Sequence, residues 1–363
     1  MSDTSPSSDL AACRRLLAEG SRSFDLAARG LPSGVRDDAT ALYAFCRVAD
    51  DAIDRSTDPG AALNRLAERL DAIYADRPVN DPVDRATAAL VRRHDLPRAV
   101  FDALLEGLGW DVAGREYRTL AELRAYAARV AGTVGVLMTL IMGRRDADTL
   151  TRAAELGVAM QLTNIARDVG EDAELGRCYL PRDWHPPAGD DVTPGGRPAR
   201  WQRAATARLL READRHYAHA MPGIARLPGR CRIGIRAAAY IYAEIGAVIA
   251  AADHDSVTRR AVVPRSRKLV LLAGALWPAA RPTRSDAAAP AAAETAFLVD
   301  VACRSSPTAD RPRPQTLRWW QLAEQWGWVI ELFGRLAARE RLDRLSAPTS
   351  NESSRSTTVT QQR

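Results

Sequence analysis

Apolar residues recur along most of this chain at the three- and four-residue spacing of helices that bury one face. In the stretch from Tyr43 to Asp54, Leu42, Phe45 and Ile53 flank a polar stripe, and Leu162, Ile165 and Val169 do the same further on. The pattern predicts helices over about 36–54, 60–75, 83–93, 97–112, 119–142, 150–175, 199–220 and 233–252. Pro186-Pro187 and Gly195-Gly196 predict an irregular loop over about 182–198. The Ala-, Pro- and Arg-rich stretch 278–316 reads as a second irregular excursion.

No composition break or Gly/Ser linker interrupts residues 10–275, so residues 10–345 are expected to form one all-α domain. Residues 1–9 are small and polar and are expected to fray. The Ser/Thr/Asn/Gln-rich segment 346–363 is expected to be a disordered tail. Abundant Ala, Leu and Arg with few aromatics suit an all-helical fold.

Charge narrows the partners. The chain has 363 residues and a net charge of +6, which favours anionic partners. Basic clusters interleaved with stacking aromatics are absent, so nucleic acid is the least favoured anion. Five scattered cysteines (13, 46, 178, 231 and 303) show no metal spacing. Their odd number and the lack of a signal peptide point to a reducing cytoplasm. No apolar run reaches the ~18–20 residues needed to span a bilayer, the longest lying around Val134–Met142 and Leu269–Ala280. His216 and His219 stand at helical spacing and read as an ordinary surface pair.

The chemistry concentrates in two stretches. On a helix advancing about 100° per residue, Gln161, Asn164, Asp168 and Asp172 fall within an arc of roughly 80°. Tyr43, Arg47, Asp50 and Asp54 fall within about 60° on another. Like charges one turn apart destabilise a helix by about 0.2–0.5 kcal/mol, so something positive must offset them. Two such stripes facing each other make an oxygen-lined, negative cleft, suited to a hard cation shared between carboxylates and substrate phosphates. Arg47 and Arg167 stand beside it and could hold a diphosphate. A single acidic pair would be an ordinary solvated face; the repetition argues for a site.

Both stretches resemble the aspartate-rich motifs of the squalene/phytoene synthase family, the head-to-head trans-isoprenyl diphosphate synthases. Ser21-Arg-Ser23-Phe24, Leu42-Tyr-Ala-Phe-Cys-Arg47, Tyr126-Ala-Ala-Arg-Val-Ala-Gly132-Thr-Val-Gly135 and Tyr179-Leu-Pro181 match further signatures in order. The likeness runs from about residue 10 to 275 and is closest to the bacterial phytoene synthases.

The resemblance implies an isoprenoid synthase fold, a helical bundle around a central prenyl-binding cavity. It implies Mg²⁺, with Mn²⁺ as a substitute, on Asp50, Asp54, Asn164, Asp168 and Asp172, and no NADPH. Substrate contacts carried over by position are Ser21, Ser23, Phe24, Arg47, Tyr126, Gln161, Asn164, Arg167, Tyr242 and Lys268. The catalytic set is Asp50, Asp54, Asp168 and Asp172 with Tyr43 and Arg47, and the rings of Tyr43 and Phe24 are expected to face a carbocation. The implied reaction joins two geranylgeranyl diphosphates through a cyclopropyl diphosphate. A squalene, presqualene or dehydrosqualene synthase acting on farnesyl diphosphate shares these residues, and Ala28 leans toward the longer chain. A non-catalytic assembly factor would show eroded aspartate motifs, and both are intact here.

Three features sit beside the motifs. Gly132 and Gly135 inside a helix cost about 1 kcal/mol each relative to alanine, so they mark close helix packing or room for a bulky ligand. Lys268 is the one lysine among 51 basic residues. It is either a chance surface lysine or, by the resemblance, a base at the diphosphate. From Trp319 to Arg339 the apolar stripe returns, while Trp320 and Trp328 point away from it. Tryptophan on a polar face is favoured at a bilayer headgroup level. A peripheral place on the inner membrane is therefore expected, with neighbouring carotenoid enzymes as partners.

Overall fold

The computed structural model describes residues 5–20, 22–186, 196, 198–277 and 292–304, with 22–24 as backbone only. All of them belong to the compact unit Met1–Arg311. Fourteen α-helices account for most of it: α1 Pro6–Gly20, α2 Arg22–Ala28, α3 Ser33–Asp54, α4 Pro59–Tyr74, α5 Pro82–His94, α6 Arg98–Val112, α7 Leu120–Ala127, α8 Thr133–Ile141, α9 Ala147–Arg167, α10 Val169–Glu174, α11 Arg200–Ile224, α12 Gly229–Ala251, α13 Arg265–Leu276 and α14 Ala296–Arg304. Among the described residues there is no strand.

Local chemistry sets several boundaries. Asp58, Asp81, Thr119 and Asp146 each accept a backbone N–H in the first turn of the helix they precede. Pro59 and Pro82 take the first helical position, where the missing N–H costs nothing. The core is aliphatic, with Leu42, Leu90, Leu123, Leu137, Leu150 and Leu162 almost wholly buried.

Several expectations change. The N-terminal segment is helical from Pro6 instead of frayed through residue 9, because Asp9 is buried and binds Arg85 through both oxygens, at 2.5 and 2.9 Å. The stretch 119–142 is interrupted by a π turn at Ala128–Gly132, a feature common near functional sites. Residues 292–304 of the expected excursion fold as a short 3₁₀ turn, Ala293–Thr295, followed by α14. A 3₁₀ turn, Arg182–Trp184, likewise opens the expected loop at 182–198. Finally, α12 is long and apolar enough by composition to span a bilayer, with a mean hydropathy of 1.5, but it packs within the bundle.

His216 is not on the surface. It is buried, its Nδ1 paired with the wholly buried Glu155 and its Nε2 3.6 Å from Glu212. Glu212 also takes Arg124 at 2.7 Å, Arg124 reaches Glu294 at 2.9 Å, and Glu155 accepts the Ala292 backbone N–H at 2.7 Å. This chain of alternating charges ties α7, α9 and α11 to the start of the last described segment. The apolar positions around residue 216 carried no hint of it, since its partners lie far apart in sequence.

The aromatic stretch 319–339 and the polar tail lie outside the described residues, as do 187–195, 197 and 278–291.

Candidate functional site

A cavity of about 280 Å³ runs alongside α9. Its lining on that helix is Thr149, Arg152, Ala153, Leu156, Gly157, Met160, Gln161 and Asn164, an unbroken three-and-four-residue stripe. From Thr149 to Asn164 the helical rise gives a length of about 22 Å. Opposite stand Ala39, Leu42, Tyr43, Cys46 and Asp50 of α3, and α12 adds Gly234, Ile235, Ala238 and Tyr242. The long walls are apolar, and Asp50, Tyr43, Gln161 and Asn164 gather at the end where α9 finishes.

Glycine lets the helices close the walls. A Cβ on Gly135 would sit 2.2 Å from the Ala153 carbonyl oxygen, and one on Gly157 would sit 2.2 Å from that of Ala131. Close packing of the π turn and α8 on α9 thus explains Gly135, which also lines the cavity. Ala28 lines it too.

The second acidic stretch is not one helix. α9 ends at Asp168, where φ −102° and ψ 16° interrupt the ladder, and the Gly170 N–H bonds to the Ser256 carbonyl at 2.9 Å. Gly170 can approach so closely because a Cβ there would lie 2.3 Å from the Val257 oxygen. The break carries Asp172 onto α10 and leaves the order of acids intact.

Arginines hold the outer carboxylates. Arg167 forks onto Asp168 at 2.7 and 2.5 Å, and Arg260 joins at 3.0 Å. Arg47 pairs with Asp51 at 2.8 Å, and Arg177 with Asp54 at 2.9 Å. Thus Arg47 and Arg167 are engaged by aspartates. Arg177 and Arg260 belong to the cleft, though the sequence offered only a surplus of arginine to find them by.

Asp50 and Asp172 are different: neither makes an ion pair among the described residues. Asp50 lines the cavity and its side chain is exposed to that space, while the protein around the cavity keeps it from bulk water. Burial first, and then the charge of Asp54, push its carboxyl up to about 7. Burial and Asp168 push Asp172 up to about 8. Nearby, Asp111 accepts hydrogen bonds from Tyr126 at 2.9 Å and Tyr179 at 2.8 Å, and burial raises its carboxyl as well. The side-chain oxygen of Asn164 is buried with no hydrogen-bond partner.

This donor set is all oxygen, partly unneutralised, and includes an orphaned amide oxygen. It fits a hard divalent cation. Among the described residues no three carboxylate, His or Cys groups are placed to hold a metal ion on their own.

The remaining candidates are dispersed. Tyr242, Gln161 and Tyr43 line the cavity. Tyr126 does not; it is buried in a stack with Tyr117 and Tyr179, ring centroids 5.2 and 5.3 Å away. Lys268 is half-buried in the first turn of α13 and is not among the lining residues, while its neighbour Arg267 pairs with Glu244 at 2.7 Å. Ser21 and the side chains of Ser23 and Phe24 lie outside the described residues.

An apolar channel of helices, closed at one end by two acidic stretches, defines an all-α isoprenoid synthase fold. The sequence model described as "Squalene/phytoene synthase" matches residues 17–267, and the chain belongs to that family. It is 48% identical to the phytoene synthase of Rhodobacter capsulatus over 81% of this chain and 90% of that protein. To the phytoene synthase of Cereibacter sphaeroides it is 49% identical over 84% and 91%. Among solved structures, a ligand-bound dehydrosqualene synthase superposes with a TM-score of 0.68 at 31% identity, covering 75% of this chain and 96% of that one. The squalene synthase of Alicyclobacillus acidocaldarius gives 0.60 at 25% identity, covering 68% and 95%.

Proposed function

We propose that this chain is a phytoene synthase, a prenyltransferase that joins two geranylgeranyl diphosphates head to head with release of diphosphate. The observation that carries this reading is the apolar cavity running about 22 Å along α9 from Asn164 to Thr149. With carbon–carbon bonds of ~1.5 Å, an extended isoprene unit spans roughly 5 Å, so four units fit that length and three leave a void. The identity to bacterial phytoene synthases supports the same choice.

The reactive ends of the prenyl chains then lie at the acidic mouth. Asp50, Asp54, Asp168, Asp172 and the orphaned Asn164 oxygen would hold Mg²⁺, or Mn²⁺ in its place. When bound, the metal supplies Lewis-acid neutralisation of the diphosphate leaving group. Arg47, Arg167 and Arg260 stand where they can exchange an aspartate for a diphosphate oxygen, a forked contact arginine makes well. The apolar walls exclude water, which would otherwise quench an allylic cation. Tyr43, on the lining beside Asp50, offers a ring face to that cation.

Attack of the second prenyl double bond on the cation, with loss of a proton as the ring closes, gives a cyclopropyl diphosphate; a second ionisation, rearrangement and loss of a second proton give the C40 hydrocarbon. The sequence consumes no electrons, so NADPH is not required. A hydrocarbon of that size has no aqueous destination. This motivates a place for the protein on the cytoplasmic face of the inner membrane, reached through the tryptophan-bearing stretch 319–339, beside the enzymes that use the product.

The test is to incubate the protein with geranylgeranyl diphosphate and Mg²⁺ and to analyse the lipid extract. Phytoene with two diphosphates released per molecule is expected, and none when EDTA is present. A different product, or full turnover in EDTA, overturns the reading.

A further inference from the structure

Arg177 occupies the ground between the two acidic stretches. Gly176, at φ +71°, closes α10 with a left-handed cap, and the Arg177 N–H bonds to the Asp172 carbonyl at 2.8 Å. The cap fixes the backbone of Arg177 over the second acidic stretch, and its side chain crosses to the first, with Nη2 2.9 Å from Asp54. Burial works against its charge, but the hydrogen bond to Asp54, with Tyr179, Asp54 and Asp111 nearby, strengthens it. The same guanidinium lowers the carboxyls of Asp111 and Asp172 against the push of burial. One cation therefore serves carboxylates from α3, α6 and α10.

We propose that Arg177 is the resident counter-cation of the substrate-free cleft, bridging the acidic stretches until a divalent ion displaces it from Asp54. A divalent ion and a guanidinium cannot both neutralise the same carboxylate without crowding like charges. Loading the metal then means releasing Arg177. The released side chain has somewhere to go. It lines a separate polar pocket of about 290 Å³ with Asp111 and Tyr179, where Asp111 can receive it; the Glu116 of that pocket is already forked by Arg182. Its cap through Gly176 need not change for the side chain to turn, since that cap is made by backbone groups alone.

This inference rests on the metal reading above, and its test separates the two. Mn²⁺ binding to the substrate-free protein is followed by paramagnetic resonance and by calorimetry, in wild type, Arg177→Gln, Asp54→Asn and the double variant. Arg177→Gln should bind Mn²⁺ about tenfold more tightly than wild type, and that gain should vanish on the Asp54→Asn background. Without metal, Arg177→Gln should melt at a lower temperature than wild type, and Mn²⁺ should raise its melting point more. Equal or weaker Mn²⁺ affinity in a folded Arg177→Gln overturns the counter-cation role while leaving the metal site standing. A gain that persists with Asp54→Asn also overturns it, because the competition would not be for that carboxylate. No Mn²⁺ binding by any of the four proteins, with or without added diphosphate, overturns the metal reading and this inference with it.

Discussion

Gly135 of α8 meets the backbone of α9 at Ala153 so closely that a β-carbon would lie 2.2 Å from the carbonyl oxygen. Backbone cannot step aside as a side chain can, so the helices must separate. Gly135→Ala should therefore destabilise the protein by about 1–3 kcal/mol, the usual cost of overpacking, and widen or distort the cavity wall. Thermal melting checks this. An unchanged melting temperature would mean that the two helices are not held at this distance.

The buried His216 makes stability depend on pH. Burial alone would lower its affinity for a proton, but hydrogen bonding to Glu155 and Glu212 overcomes this and raises it to about 8 from an ordinary 6.5. A histidine raised on folding stabilises fully below about 6.5, and that contribution is lost as pH rises through about 8. Its partner Glu212, drawn down to about 2 chiefly by His216, contributes above about 4.5 and loses that only in strong acid. Arg124, Arg215, Glu294 and the nearby His219 are the other charged or titratable groups around the pair. The melting-temperature difference between wild type and His216→Asn should therefore be largest near pH 5–6 and shrink above pH 8. A constant difference across that range would show that His216 is not charged in the fold.

Asp172 makes no direct ion pair among the described residues; Asp168 and Asp111 crowd it, and Arg177 relieves only part of that push. Asp172→Asn should cut turnover by about a thousandfold or more, equivalent to ~4 kcal/mol of lost transition-state stabilisation. In the absence of divalent metal the same variant should melt no lower than wild type, because a repelling charge has gone. Steady-state kinetics and metal-free melting curves read the two effects separately. A large loss of stability together with the loss of rate would make Asp172 a structural residue.

Those contrasts also mark what the chain discloses before it is folded. Periodicity located the helices from α3 to α12 because they bury one face, but not α1, α2, α13 or α14, and the acids at 50, 54, 168 and 172 were legible because their spacing repeats. Three things were hidden, each for the same reason. The break at Asp168 depends on Ser256, about ninety residues away, accepting the Gly170 N–H, with the Val257 backbone packed against that glycine. Arg177 and Arg260 were two arginines among fifty, and only the fold brings them to Asp54 and Asp168. Tyr126 matched a family signature, but the fold turns it toward Asp111 and a stack of tyrosines. Lys268, distinguished by its rarity and by the family resemblance, is not among the residues that line the cavity. Spacing within one helix is written locally, whereas a partner from another helix is not.

Chain length should respond to Ala28, a small residue on the cavity wall. Ala28→Phe fills space that the far part of a four-unit chain would use. It should lower kcat/KM for geranylgeranyl diphosphate about tenfold or more, while farnesyl diphosphate is affected less, in keeping with the ~1–3 kcal/mol a pocket gains or loses by small changes of volume. Equal losses for both substrates would show that Ala28 does not face the prenyl tail.

The cavity beside α9 has the length of a C20 chain. The most direct test of that match is the ratio of kcat/KM for geranylgeranyl over farnesyl diphosphate, determined in competition with Mg²⁺ present and with and without NADPH. A ratio of at least about tenfold in favour of the C20 donor is expected, unchanged by NADPH, with phytoene as product. A ratio at or below unity, or a C30 hydrocarbon as the main product, would contradict it.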